Sequence, residues 1–552
     1  MGGLTRVSAL LLAPALLAAA DPEPACLKVR LPGGGRTALR LVFRKGLQAE
    51  AQGLPPAFLA RKAEGAWVPF EGLSPEGKRW ALQSLFPEDA WRKDGVRHVV
   101  RWPQLESVWL LSVLFTGHGQ NYDRLQALNP GCPEKLRKGD VWRVPMDLLS
   151  AELGGRAKGL PVRSTPEDDL DDEARVAAYR ALLTYGEDAE GRYAAYRLRK
   201  GEALYSSVVM RYTDRVEPKE VNELAAQLAR RSGIQDLRSI PPGTLVKTPV
   251  DALADPFQPE GSEALREERE VREEVRRTAR VEAGPRLKGV RIVLDPGHGG
   301  VDVGAMANGV WESDYVYDIV QRVRRLLEQR TEARVSCTVR YPSVGFRVRD
   351  RILKPTRAAE FLTTPPYASD GEGPLATSVH LRWVLANDLA RPASGDRERT
   401  LFLSFHADSL HPSARGAMAY VPGAAQVPAS FRLSPARGGG VAEMKRSAGV
   451  AFTAKDKLRG EARSRQLAEA LLKAVRAAEL PIHANRPIRN VIHRGGKSYV
   501  PAVLRYSSAG AKVLVEVLNL TNDEDAELLK DPRFRERFAE AVVQGIGAFF
   551  RR

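Results

Sequence analysis

Cysteine is scarce in this chain: three residues in 552, at Cys26, Cys132 and Cys337. Three cysteines cannot build a disulfide framework, and none has the paired spacing of a zinc finger. Long apolar runs are missing as well. The segment Ala9-Leu10-Leu11-Leu12-Ala13-Pro14-Ala15-Leu16-Leu17 is too short to span a bilayer, and no later segment is long enough. RNP-type and zinc-finger signatures of nucleic-acid binding are also absent. The formal net charge of +16 therefore stands without a nucleic-acid motif. It points either to an anionic partner (nucleic acid, anionic lipid or an anionic wall polymer) or to an arginine-rich composition. The hydrophobic fraction of 43% and the charged fraction of 28% are those of ordinary globular protein, and the length calls for several domains.

The short apolar run has the setting of a secretory signal, residues 1–20. Arg6 precedes it, and Ala18-Ala19-Ala20 offers a small-residue cleavage site before Asp21. Export to a periplasm or cell wall follows. Cys26 lacks an apolar residue three positions before it, which argues against a lipid anchor. An exported chain could pair Cys26 with Cys132, whereas Cys337 lies in an apolar strand and is expected to be a buried thiol.

The chemistry concentrates in the last half. Ile292-Val293-Leu294 reads as a buried strand that ends in Asp295-Pro296-Gly297-His298-Gly299-Gly300. An imidazole is thus set at the carboxyl end of a strand, where open α/β sheets place their ligands. Glu312 opens a run with apolar residues at helical spacing (Val316, Ile319, Val320, Val323) and is expected in its first turn. A second strand, Thr400-Leu401-Phe402-Leu403-Ser404-Phe405, ends in His406-Ala407-Asp408. Either histidine alone would be read as a strand cap. Two of them flanking a loop-to-helix glutamate form a His₂Glu set of the kind that holds catalytic zinc with a position left open. Lys512-Val513-Leu514-Val515-Glu516-Val517 is a further apolar strand with one acid. A buried lone carboxylate is costly unless it is paired or functional, and beside a metal site Glu516 would be a general base.

These motifs, in this order, resemble the zinc-dependent N-acetylmuramoyl-L-alanine amidases of the amidase-3 family over residues 287–552. Gly304-Ala305 matches the family's turn, and Leu381-Arg382 with Ala386-Asn387 matches the helix before the second histidine strand. Two features depart from the pattern. Leu518-Asn519 stands where Gly-Phe is expected, and residues 354–377 and 423–460 exceed a minimal domain. The resemblance implies an α/β fold, a twisted sheet flanked by helices. It implies zinc on His298, Glu312 and His406, with Glu516 as base. The bond cut would join N-acetylmuramic acid to the L-alanine of the peptidoglycan stem peptide. Asp295 and Asp408 are candidates to support the histidines from behind. Some division amidases of the family carry an inserted helix that blocks the zinc until a protein activator binds. Here Gly438-Gly439-Gly440 followed by Val441-Ala442-Glu443-Met444-Lys445 could place Glu443 on the metal; the alternative is a mobile surface loop.

Upstream, two segments read strand, helix, helix, strand. Residues 95–150 end in Val141-Trp142-Arg143-Val144-Pro145, and residues 193–252 contain Arg199-Lys200-Gly201-Glu202-Ala203-Leu204 and end in Leu245-Val246-Lys247-Thr248-Pro249. Both resemble LysM modules, which implies binding to glycan strands of peptidoglycan; purely structural βααβ units are the alternative. Trp109 and Trp142 could stack on sugars or sit in a core. Residues 26–94 read as a small β-containing region of unreadable role, and 151–192 as a linker leading into a helix. The Glu- and Arg-dense stretch within 253–286 reads as a solvated helical spacer. Competing functions are a zinc peptidase acting on stem peptides, a non-catalytic peptidoglycan-binding protein, and a nucleic-acid binder.

Overall fold

The computed structural model describes the strands at 27–31, 38–44, 47–52 and 67–69 and then residues 73–550. Within that span it leaves out 104–105, 107, 118–124, 127, 130–135, 156–170, 200–201, 238–239, 353–355, 370–374, 392–396 and 438–439. The signal-like segment, Cys26 and Cys132 fall outside the described residues. The chain divides into two compact units, Met1–Ser164 and Thr165–Arg552.

In the first unit, strands β1 (Leu27–Leu31), β2 (Ala38–Arg44), β3 (Leu47–Gln52) and β4 (Trp67–Pro69) form one sheet in the order β1-β3-β2-β4. Helix α1 (Pro75–Leu85) follows, with Ser74 capping its amino end. Strands β5 (Ala90–Arg92), β6 (Gly95–Val99) and β7 (Val141–Pro145) form an antiparallel sheet, with helix α2 (Val108–Thr116) between the last two. Trp142 is fully buried in this core, so it is no sugar platform; the side chain of Trp109 is outside the described set. His98, on β6, is buried with two acids. Its Nδ1 lies 2.9 Å from Asp89 Oδ2 and its Nε2 2.8 Å from Glu106 Oε2.

The second unit begins with α3 (Asp172–Arg180) and a three-stranded antiparallel sheet of β8 (Thr184–Asp188), β9 (Gly191–Arg197) and β10 (Leu245–Pro249). Between β9 and β10 run a helical segment over 205–213 and helix α4 (Pro218–Arg231). The βααβ order expected for residues 193–252 is present, with β8 added ahead of it. Helix α5 (Glu263–Arg277) comes next.

The expected solvated spacer is instead packed. Leu265, Glu268 and Val271 of α5 are buried. Glu268 pairs with Arg465 at 3.0 Å, on a helix that flanks the central sheet. Three large apolar residues, Leu265, Val271 and Val275, in a fifteen-residue helix are a weak sequence signal. Docking completed by a buried ion pair leaves little trace in hydropathy.

The central sheet has six strands: β11 (Arg291–Pro296), β14 (Arg334–Cys337), β18 (Thr400–His406), β19 (Met418–Tyr420), β22 (Ile488–Arg489) and β25 (Ala511–Glu516). Their order is β14-β11-β18-β25-β19-β22. All neighbours are parallel except β19 against β25, so the sheet is mixed. Shorter strands lie in the connections: β12 (Met306–Ala307), β13 (Val310–Trp311), β15 (Val339–Arg340), β16 (Ala359–Phe361), β17 (Tyr367–Ser369), β20 (Ser430–Arg432), β21 (Gly449–Ala451), β23 (Ile492–Arg494) and β24 (Lys497–Tyr499). Cys337 is a buried free thiol.

Alternation along each central strand explains the continuous apolar runs. Ile292, Leu294, Leu401, Leu403, Phe405, Val513 and Val515 face one core, with helices α6 (Glu312–Arg330), α9 (Ala454–Ala477) and α10 (Pro532–Phe550). Val293, Phe402, Leu514, Met418 and Tyr420 face the other. That second core also holds Tyr196, Leu204, Val208, Tyr212, Val221 and Leu224 of the βααβ unit, together with part of helix α7 (Leu375–Ala390). A parallel sheet must be covered on both faces, and here the upstream unit supplies part of one cover. Asp214 pairs with Arg486 and with Arg489, each at 2.7 Å and all three buried. The βααβ unit is therefore an integral layer of this body, not a free module on a tether.

The described residues of 423–460 are folded too. Strands β20 and β21 form a hairpin, and the short helix α8 (Glu443–Ser447) lies between them in the chain. Leu433, Ala448 and Val450 pack with Trp383 and Val384 of α7.

Candidate metal and acid–base site

Strands β11, β18 and β25 end side by side, and their last residues carry the site. His406 and Glu516 are register partners on adjacent strands. His298 follows β11 by two residues, in the left-handed region with φ 63°. Such a conformation costs on the order of 1–3 kcal/mol in a non-glycine residue and needs support. Arg382 of α7 gives it. Its guanidinium donates to the Pro296 carbonyl at 2.6 Å, to the His298 carbonyl, and to Asp295 Oδ1 at 2.7 Å. Asp295 is fully buried and also accepts from Ser404 Oγ at 2.7 Å and from Thr338.

Glu312 enters from the first turn of α6, where a carboxylate also suits the positive end of the helix. Its side chain is buried, and its two oxygens point to different imidazoles. Oε1 is 3.0 Å from His406 Nδ1, and Oε2 is 3.3 Å from His298 Nε2. Backbone N–H groups of Ala407 and Ala305 donate to the same two oxygens at 3.1 and 2.8 Å. The two rings meet edge to face, 5.0 Å between centroids. Ligand atoms of His298, Glu312 and His406 all lie within 4.8 Å of one another. Two imidazole nitrogens and one carboxylate oxygen at such distances are the donor chemistry that zinc takes in three-ligand hydrolytic sites.

Glycine spacing in the motif has a steric cause. A Cβ on Gly297 would lie 2.5 Å from the His406 ring, and one on Gly304 would lie 2.5 Å from Glu312 Oε2. Any side chain there would occupy the space where the ligands converge.

The supporting carboxylate is neither of those expected. Asp302 Oδ2 sits 2.9 Å from His298 Nδ1, which leaves Nε2 as the free donor atom facing Glu312. Asp295 acts on the loop through Arg382 rather than on a ring. Asp408 offers its backbone: its N–H donates to Glu516 Oε2 at 2.9 Å. A carboxylate four residues after the histidine, just past the Gly-Gly turn, was the available sequence signal. Glu443 is also placed elsewhere. It is buried, accepts from the Thr364 N–H at 3.0 Å and faces Arg446 at 3.5 Å, apart from the three-ligand cluster. Its segment is not a loose loop, because Phe431, Leu433 and Val450 anchor it to α7.

Charges in the site are strongly coupled. Burial alone would depress the His298 imidazole, but Glu312 and Asp302 outweigh it and push it up to about 10. Burial opposes ionisation of Glu312, yet the two histidines hold its carboxyl well below the usual range. Glu516 moves the other way. Burial first, then Asp408 and Glu312, raise it well above an ordinary glutamate. A buried acid reluctant to lose its proton beside a cation-binding cluster is suited to proton transfer.

Asn519, at the departure from the family pattern, is buried and stitches the loop after His406. Its Oδ1 accepts from the Leu410 N–H at 2.9 Å, and its amide donates to the carbonyls of His411 and Ala414 at 3.0 and 2.8 Å.

Residues 292–548 match the Amidase_3 family, described as N-acetylmuramoyl-L-alanine amidase. The endolysin of Bacillus phage SPP1 is 45% identical over 67 residues, 12% of this chain and 24% of the phage protein. AmiA of Escherichia coli K12, an N-acetylmuramoyl-L-alanine amidase, is 27% identical over 298 residues, 51% of this chain and 84% of its own length. Among solved structures, the amidase Ami1 of Mycobacterium smegmatis aligns at 22% identity and a TM-score of 0.28, covering 48% of this chain and 97% of its own. Among the described residues no helix is long and apolar enough to cross a membrane. The strand-end histidines, the helix-start glutamate and the buried strand acid all fall inside the stretch, residues 292–548, that matches the Amidase_3 family.

Proposed function

We propose that this protein is an exported peptidoglycan hydrolase that cleaves the amide between N-acetylmuramic acid and the L-alanine of the stem peptide, with zinc as its metal. The observation that carries the reading is the convergence of ligand atoms of His298, Glu312 and His406 within 4.8 Å of one another, with Glu516 the register partner of His406 on the adjacent strand. Zinc held by the three side chains supplies Lewis acidity toward the amide carbonyl and makes water more acidic. Glu516 takes the proton of the attacking water and delivers it to the leaving nitrogen. The Asp408 N–H keeps its carboxylate oriented during both transfers. Asp302 fixes which nitrogen of His298 faces the metal. Both carboxylate oxygens of Glu312 are already held by backbone N–H groups, so little ordering of this side chain would remain on metal uptake.

The two upstream units are read as contacts to glycan strands. The βααβ order of residues 191–249 supports the LysM-like reading of the second, and the β6-α2-β7 arrangement supports the first. The test of the activity is mass spectrometry of digested peptidoglycan. An amidase releases intact stem peptides with a free L-alanine amino group and leaves glycan strands bare. A zinc peptidase would shorten the stems and leave L-alanine on the glycan, which would overturn the assignment.

A further inference from the structure

The loop after His406 is held by the βααβ unit as well as by Asn519. The His411 N–H donates to the Val216 carbonyl at 2.8 Å, and Tyr205 stacks on the His411 ring with centroids 5.1 Å apart. The hairpin β23–β24 is held by the same unit. Glu217, at the start of α4, accepts from Arg494 Nε, and Glu220 accepts from the Gly496 N–H at 2.8 Å. Arg494 links the two. Its Nη2 lies 3.7 Å from Asp408 Oδ1, and the Asp408 N–H is the donor to Glu516. A continuous set of contacts therefore runs from α4 through the hairpin to the proposed base.

We propose that Arg494, held in place by Glu217, is a positioning residue for Glu516: its guanidinium seats the Asp408 loop so that the Asp408 N–H grips the Glu516 carboxylate. The docked βααβ unit is then part of the catalytic body, whatever it binds on its outer surface. The guanidinium fits this task because it is planar and reaches two carboxylates at once, Glu217 on one side and Asp408 on the other. A 1 Å error in the placement of a catalytic group is enough to cost about 10²-fold in rate. Loss of a support one residue removed from the base should cost somewhat less. The inference rests on the amidase reading above.

The test uses the full chain and soluble muramyl-peptide fragments, with kcat, KM, zinc content and thermal midpoint measured for each variant. Arg494→Ala should lower kcat about 10-fold or more with KM within about twofold and zinc unchanged. Arg494→Lys should recover part of kcat through its charge. Glu217→Ala should lower kcat less, and Glu217→Ala with Arg494→Ala should be no worse than Arg494→Ala alone, because both act through one contact. Lys497→Ala, on the exposed face of the same hairpin, should behave as wild type. A wild-type kcat in Arg494→Ala, a loss confined to KM, a loss of zinc, or additive losses in the double variant would each overturn the positioning role. If Arg494→Ala does not fold, Arg494→Lys and Glu217→Ala decide the matter by the same kcat criterion. If the wild-type chain opens no lactyl amide, the amidase reading fails and this inference with it. If the wild type does so and Arg494→Ala equals it, the positioning role alone fails.

Discussion

Replacement of Asp302 by alanine tests whether the imidazole support was correctly placed. The carboxylate meets His298 Nδ1 at 2.9 Å and accepts from the Gly304 N–H at 3.2 Å through its other oxygen. It orients one ligand and the turn beside Glu312 together. Losing a carboxylate behind a ligating histidine typically costs about 10–100-fold in metal affinity. That is about 1.4–2.8 kcal/mol at 1.4 kcal/mol per decade. Asp302 is about one-third exposed, 35% at its side chain, so water screens its charge and the lower half of the range is expected. Asp302→Asn, which still accepts a hydrogen bond, should fall between alanine and wild type. The assay is zinc competition against a chromogenic chelator at fixed pH, with activity followed on restoring zinc. Saturating zinc should recover much of the activity of Asp302→Ala, because the ligands and Glu516 remain. An affinity within twofold of wild type would refute the assignment. So would an equal loss in Asp295→Asn at unchanged thermal stability, since Asp295 touches no ring.

His406→Ala should remove both zinc and activity from a chain that otherwise carries about one zinc, as read by elemental analysis after dialysis; retained metal would remove His406 from the ligand set. Glu516→Gln should keep zinc and fold while losing about 10²–10⁴-fold in kcat, measured on muramyl peptides. Glu516 is raised above an ordinary glutamate, so it is ionised only above that raised value. Activity should therefore fall on an acid limb lying above the usual glutamate range, and a rate flat down to pH 4 would refute this. Gly297→Ala should weaken zinc binding without large unfolding, because its Cβ would meet the His406 ring at 2.5 Å. Glu443→Ala should leave kcat unchanged while lowering stability by about 0.5–1.5 kcal/mol, the net worth of its hydrogen bond from the Thr364 N–H; a clear rise in basal rate in the folded variant would restore the inhibitory reading.

The sheet and its ligands were legible because their signals are local. Ile292 to Leu294, Leu401 to Phe405 and Val513 to Val515 are unbroken apolar runs, as a strand buried on both faces must be, and each is closed by a chemically marked residue. Glu312 was placed in a helix start by the apolar spacing that follows it. The support around them was not legible. Asp295, Asp302 and Asp408 are equally acidic in sequence, and only the left-handed turn at His298 decides which one reaches a ring. Docking of the βααβ unit depends on Asp214 meeting Arg489 across 275 residues, a pairing that no local pattern announces. The Gly- and Pro-rich insertion suggested a loop, but Phe431, Leu433 and Val450 were enough to fix it on Trp383.

Strand order has a consequence for biogenesis. Glu516 ends β25, the last central strand in the sequence, yet β25 lies between β18 and β19, which precede it in the chain. The sheet cannot close until nearly the whole polypeptide is available. Contacts of such sequence separation form late, after the entropy of closing long loops has been overcome. A chain cut short before residue 511 would lack a central core strand and the proposed base in one stroke. Truncated or half-folded chains would therefore lack the assembled site, and hydrolytic competence would arrive only with the finished fold.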